Sequence, residues 1–146
     1  MIQAVATFLA GTFFGAALYI NLAQHPATVK LGGAFAKDFF PPMYHAASTM
    51  QIVLAVGGTL LGLVEWYLTD QTLWLVGALL LVSVIPITLV FIKPINDQLL
   101  EPNNDLGPDQ VLALLKQWNP RHWVRSIVSG LAFAIYLVAM GIAGTA

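Results

Sequence analysis

Thr72-Leu73-Trp74-Leu75-Val76-Gly77-Ala78-Leu79-Leu80-Leu81-Val82-Ser83-Val84-Ile85-Pro86-Ile87-Thr88-Leu89-Val90-Phe91-Ile92 contains no charged side chain. At about 1.5 Å of rise per residue, a helix of this length crosses a hydrocarbon core of about 30 Å. Just before it, Thr69-Asp70-Gln71 is a short polar turn, and before that runs a second apolar stretch over 46–67. A connection this short makes the two stretches an antiparallel hairpin. Glu65-Trp66-Tyr67 lies at its turn end, with the aromatic pair suited to anchoring at headgroups and Glu65 read as interfacial. Pro86 predicts a kink in the later span, with a freed carbonyl left for Ser, Thr or water.

The same reading extends to both sides. Residues 2–24 carry no charge and form a first span. No Lys or Arg precedes this run, and it exceeds the roughly 7–15 residues of a cleavable signal core. Residues 25–45, with His25-Pro26, Gly32-Gly33 and Pro41-Pro42, read as a loop carrying one short interfacial helix around 34–39. Residues 93–119 form the largest polar segment, with turn chemistry at Pro102-Asn103-Asn104-Asp105. From Pro108, Val111, Leu112, Leu115 and Trp118 recur at helical spacing against Asp109, Gln110, Lys116 and Gln117, which predicts a short amphipathic helix in the interface plane. Asn119 then reads as an N-cap and Pro120 as the first residue of a fourth span over 120–143. The expected fold is all-α: a single integral membrane four-helix bundle with a short interfacial amphipathic helix before the last span. Small-residue pairs at Gly11 and Gly15, and at Gly58 and Gly62, suit close helix packing, within the bundle or in a homo-oligomer.

Composition agrees. The 146 residues are 58% hydrophobic and 9% charged, with a mean hydropathy of +0.78, the profile of a multi-pass membrane protein whose first partner is the lipid bilayer. A net charge of -1 offers no electrostatic footprint for nucleic acid. The absence of cysteine excludes a disulfide, a thiolate nucleophile and any Cys-ligated metal. Lys30, Lys37, Lys93, Lys116, Arg121 and Arg125 all fall in or beside the 25–45 and 93–119 segments. By the positive-inside rule those segments face the cytoplasm and both termini lie outside it, in a plasma (inner) membrane protein.

Polar residues gather at that same level. His25 ends the first span, Tyr44 and His45 enter the second, Asn96 follows the third, and His122 and Arg125 enter the fourth. Tyr44, Ser48 and Gln51 form one stripe, and His122, Arg125, Ser126 and Ser129 another. Ionisable groups inside a bundle are costly unless paired or wetted, so a shared polar pocket is expected. Against it stands the plainer reading, in which the cations snorkel, the aromatics anchor and the histidines are solvated. A metal or haem site could draw on His25, His45 and His122 with Asp38 or Asp97, although no two of the histidines share a helix face. A non-enzymatic protein that binds lipid or a small molecule, or serves as an assembly partner, is the third class. No span has an Asp, Glu or Lys near its centre, which speaks against a pump or ion channel.

The ordered set Gly15-x3-Tyr19, His25-Pro26, Pro42-x-Tyr44, Pro94-x-Asn96-x2-Leu99 and Trp118-x3-His122-x2-Arg125 spans nearly the whole chain. It resembles the DUF1772 family of small four-span membrane proteins, which includes the anthrone oxygenases. For members of that type the resemblance implies oxidation of an anthrone, an apolar polycycle, to an anthraquinone by O2 without metal or organic cofactor. Such chemistry needs a base, a holder for the enolate oxygen and a dry slot. Carried over residue by residue, it makes His122 the base, in a first helical turn whose dipole favours neutral imidazole. Arg125 and Asn96 become oxyanion donors, Tyr44 and Trp118 hold the rings, Ser48 and Gln51 complete the substrate wall, and His25 is a second candidate base.

Overall fold

The computed structural model describes residues 1–101 and 105–143, and among these every regular element is helical. Helix α1 covers Ile2–Tyr19, α2 His25–Leu31, α3 Gly33–Thr69, α4 Thr72–Ile87, α5 Lys93–Leu100 and α6 Pro108–Ala143. Single π-helical turns at Ile20–Gln24 and Thr88–Ile92 join α1 to α2 and α4 to α5 without breaking either rod. Four continuous helical segments, Ile2–Leu31, Gly33–Thr69, Thr72–Leu100 and Pro108–Ile142, are long and apolar enough to cross a membrane.

The hairpin turn forms as expected. Asp70 takes a left-handed conformation (φ 55°), which short polar side chains tolerate, and its N–H donates to the Trp66 carbonyl at 2.8 Å. Glu65 is buried in the bundle, and its Oε2 accepts from Gln3 Nε2 at 3.1 Å. After Pro86 the backbone loosens into the Thr88–Ile92 π turn, and Thr88 Oγ1 donates to the Val84 carbonyl at 2.6 Å.

Two expectations about the other end are corrected. The 25–45 segment is helix, not loop, broken only at Gly32, whose φ of 96° excludes other residues without strain. Gly33 follows because a Cβ there would collide with the Pro108 carbonyl, so the glycine pair serves the turn and then a close helix approach. Nor does a separate interfacial helix end at Asn119-Pro120. The amphipathic segment exists, but it runs on into the fourth span as one helix, α6. A proline costs a membrane helix one backbone bond, and neighbouring polar groups can make that good. The turn expected at Pro102-Asn103-Asn104 lies outside the described residues.

Helix α1 packs on α3 and α6, α4 packs on the same two, and α3 and α6 also meet across the middle of the bundle. Small residues permit that central contact. Tyr136 of α6 is fully buried against Trp74, between Gly62 and Gly77, and donates its hydroxyl to the Gly58 carbonyl at 3.0 Å. The Gly58 and Gly62 pair therefore packs within the bundle. Gly11 lies against Phe133, whereas a Cβ at Gly15 would meet nothing within 4 Å.

Two apolar cores result. One, around Ala6, Ala10, Phe13, Leu81, Ala132 and Tyr136, fills the turn half. The other, around Ile20, Phe40, Ile92, Leu115 and Trp118, fills the opposite end. Between them lies a polar layer containing Asn21, Gln51, His122, Ser126 and Ser129.

A methyl group at Gly77 would strike the Tyr136 ring. Gly77→Ala should therefore destabilise the protein by about 1–3 kcal/mol, the usual cost of overpacking. Gly15→Ala should leave the thermal midpoint in detergent unchanged or raised.

Candidate functional site

The stripe on α6 faces inward. His122, Ser126 and Ser129 are 2%, 1% and 0% exposed, and Arg125 is half-buried. The partner that turns them inward is Asn21, on the π turn at the end of the first span. Asn21 Oδ1 accepts from Ser126 Oγ at 2.6 Å and from His122 Nδ1 at 2.9 Å, while its Nδ2 donates to Asn119 Oδ1 at 2.8 Å. Asn119 is thus no helix cap; it is the outer member of this network. An amide oxygen only accepts, so Nδ1 of His122 carries the proton and Nε2 holds the lone pair of the neutral ring. Since α6 begins at Pro108, His122 sits about four turns inside the helix, beyond the reach of the dipole at its start.

Trp118 roofs the imidazole. The two rings stack with centroids 4.4 Å apart and planes 18° from parallel, and the indole Nε1 donates to Asn96 Oδ1 at 2.8 Å. On the other face of the indole lies His25, 6.0 Å away and nearly parallel. Its Nε2 donates to the Leu115 carbonyl at 3.0 Å.

Tyr44, Ser48, Gln51, Asn96, Trp118, His122 and Arg125, seven of the eight residues expected at the site, line one chamber of about 30 Å³. His25 does not join them, because the Trp118 indole stands between. A larger cavity of about 150 Å³ adjoins the chamber and shares Tyr44, Ser48, Gln51 and Arg125 with it. Its other walls, apart from Thr88, are apolar: Phe13, Ile52, Ala55, Val84, Ile85 and Leu89. The cavity is therefore an apolar slot with polar groups along one wall.

Arg125 carries the charge of that wall. It donates to Gln51 Oε1 and lies over the Phe13 ring, 4.9 Å from the centroid. No carboxylate pairs with it: the one ion pair among the described residues, Lys93 with Asp97, is on the surface. Arg125 Nε and Gln51 Nε2 are buried without a hydrogen-bond partner. A cation so placed favours an anion or a partly negative oxygen in the adjoining space.

Among the described residues no three His, Asp or Glu side chains come together as a metal-binding group, so the ligand set drawn from His25, His45 and His122 is not assembled. His45 is exposed, against Tyr44.

The residue that sequence reading missed is Asn21. The signal was present: an asparagine inside an uncharged membrane span is expensive unless it bonds to something.

A family model described as anthrone oxygenase matches residues 34–135. The chain belongs to the anthrone oxygenase family. The matched stretch covers most of the protein and contains the seven expected site residues that line the chamber; Asn21 and His25 precede it. No curated protein and no solved structure matches the chain.

Asn21→Leu removes the acceptor for His122 Nδ1–H. In histidine-labelled protein, ¹⁵N shifts should then show His122 leaving the Nδ1–H tautomer, whereas Asn21→Asp, which keeps an acceptor, should hold it. Equal spectra for Asn21→Leu and the unmodified protein would contradict the network.

Proposed function

We propose that the protein is a membrane-embedded oxygenase that converts an anthrone-like polycycle and O2 into the corresponding quinone and water. The observation that carries this reading is an apolar cavity walled by an arginine that has no carboxylate partner among the described residues, adjoining a small chamber walled by the same arginine and by a buried histidine whose tautomer Asn21 fixes. Family membership supports the same chemistry.

The residues divide the work. An anthrone in its enol form loses its hydroxyl proton to become an enolate, and His122 Nε2 is the acceptor. The chamber between His122 and the larger cavity exceeds the roughly 10–15 Å³ that one water needs, so a water can relay the proton. Arg125 and Gln51 hold the enolate oxygen, and Tyr44 borders the rings. Asn96 acts through Trp118: its Oδ1 fixes the indole that covers the histidine. The enolate then gives electrons to O2, a carbon–oxygen bond forms at the ring carbon opposite the enolate oxygen, the resulting peroxide takes up the proton held by His122, and loss of water, which includes the remaining hydrogen of that carbon, leaves the second carbonyl. One O2 is consumed and one water released per turnover, and the proposed steps require no metal or organic cofactor.

The cations lie at the end of the bundle opposite the Asp70 turn. By the positive-inside rule we place that end, and the site, on the cytoplasmic side.

His122→Ala should lower kcat for an anthrone by about 10²–10⁴-fold, the usual contribution of a general base. Unchanged turnover in the correctly inserted variant would remove His122 from the mechanism. Orientation can be read separately, because the chain has no cysteine. A membrane-impermeant maleimide should label Asp70→Cys in intact cells, and Glu101→Cys only after permeabilisation.

A further inference from the structure

The larger cavity opens sideways. Two of its lining residues, Ile52 of α3 and Leu89 of the π turn that follows α4, are 58% and 56% exposed, so they stand at its mouth on the lipid-facing side of the bundle. Counted along their helices from the Asp70 turn, both lie about 25 Å up, just inside the far edge of a hydrocarbon core of about 30 Å. Amphiphilic aromatic molecules collect at that depth, with polar ends toward the headgroups.

The cavity is also small. A space of about 150 Å³ accepts roughly one six-membered aromatic ring, whereas pockets that enclose a larger ligand measure about 300–1,000 Å³. A three-ring substrate does not fit inside it. The charge at the inner end, on Arg125 and without a carboxylate, selects for an acidic or enolic oxygen on whatever edge enters.

We infer that the substrate enters from the acyl layer between α3 and α4 and is held only by its oxygen-bearing edge. That edge lies against Arg125 and Gln51, and the remainder stays between Ile52 and Leu89 in lipid. This rests on the oxygenase reading for the identity of the substrate, but not for the route. The site accordingly reads the oxygen-bearing edge of a lipid-dissolved hydroxylated aromatic and tolerates variation on the part left in lipid.

The test uses the full chain in lipid nanodiscs, with Ile52→Trp and Leu89→Trp narrowing the mouth. Leu79→Trp, at a lipid-exposed position that does not line the cavity, is the control. For an anthrone, both mouth variants should lose at least tenfold in kcat/KM, and Leu79→Trp should match the unmodified protein. Mouth variants that behave like the control overturn lateral entry while leaving the oxygenase reading intact. If the unmodified protein does not turn an anthrone over, binding of 1,8-dihydroxyanthraquinone decides the route alone. An association rate lowered at least tenfold by Ile52→Trp, and unaltered by Leu79→Trp, supports it; equal rates, or no binding to the unmodified protein, overturn it.

Discussion

A membrane bundle has no water to lend its interior polar groups, so those groups must satisfy one another or remain unpaired at a cost of several kcal/mol each. Asn21 answers that constraint here. One amide takes hydrogen bonds from a histidine and a serine and gives one to a second asparagine, all three from α6. The π turn at Ile20–Gln24 belongs to the same solution, since it is where the first span carries Asn21 to α6. Without this amide the α6 stripe would lose the hydrogen bonds that tie it to the first span.

Arg125 is the counterpart that is not fully satisfied. Its guanidinium bonds Gln51 and covers Phe13, yet among the described residues no carboxylate pairs with it, and Arg125 Nε and Gln51 Nε2 lack partners there. Structural ion pairs in membranes are normally closed; one left open beside a cavity is the arrangement expected where negative charge develops only during a reaction. The histidine and the arginine therefore play different parts, one held fast by its neighbours and the other left with capacity to spare.

Much of this could be read from the chain itself, because in a membrane the absence of charge over about 20 residues is a nearly sufficient instruction. Helical spacing likewise put Tyr44, Ser48 and Gln51 on one face and His122, Arg125 and Ser126 on another, and the two faces do meet. Spacing gives height along a helix and says little about direction around the bundle. His25 stands at the right level but behind Trp118. Asn119-Pro120 looked like a helix start because capping rules describe helix ends in water, whereas here the asparagine amide already has a partner in Asn21 and α6 continues through the proline. The 25–45 segment misled for a related reason: its prolines and glycines are turn formers locally, but packing holds most of them in helix.

The length of α6 carries a consequence of its own. Its 36 residues extend about 54 Å, well beyond the hydrocarbon thickness, so the core around Val111, Leu115 and Trp118 projects out of the lipid. That roof is held together as a soluble protein is, by exclusion of water, a force that is largely entropic near room temperature and weakens on cooling. The floor around Tyr136 has no water to exclude and depends on close van der Waals fit. The chamber of His122 thus lies on the seam between two halves whose cohesion responds differently to temperature, and a change of bilayer thickness acts directly on the lower half alone.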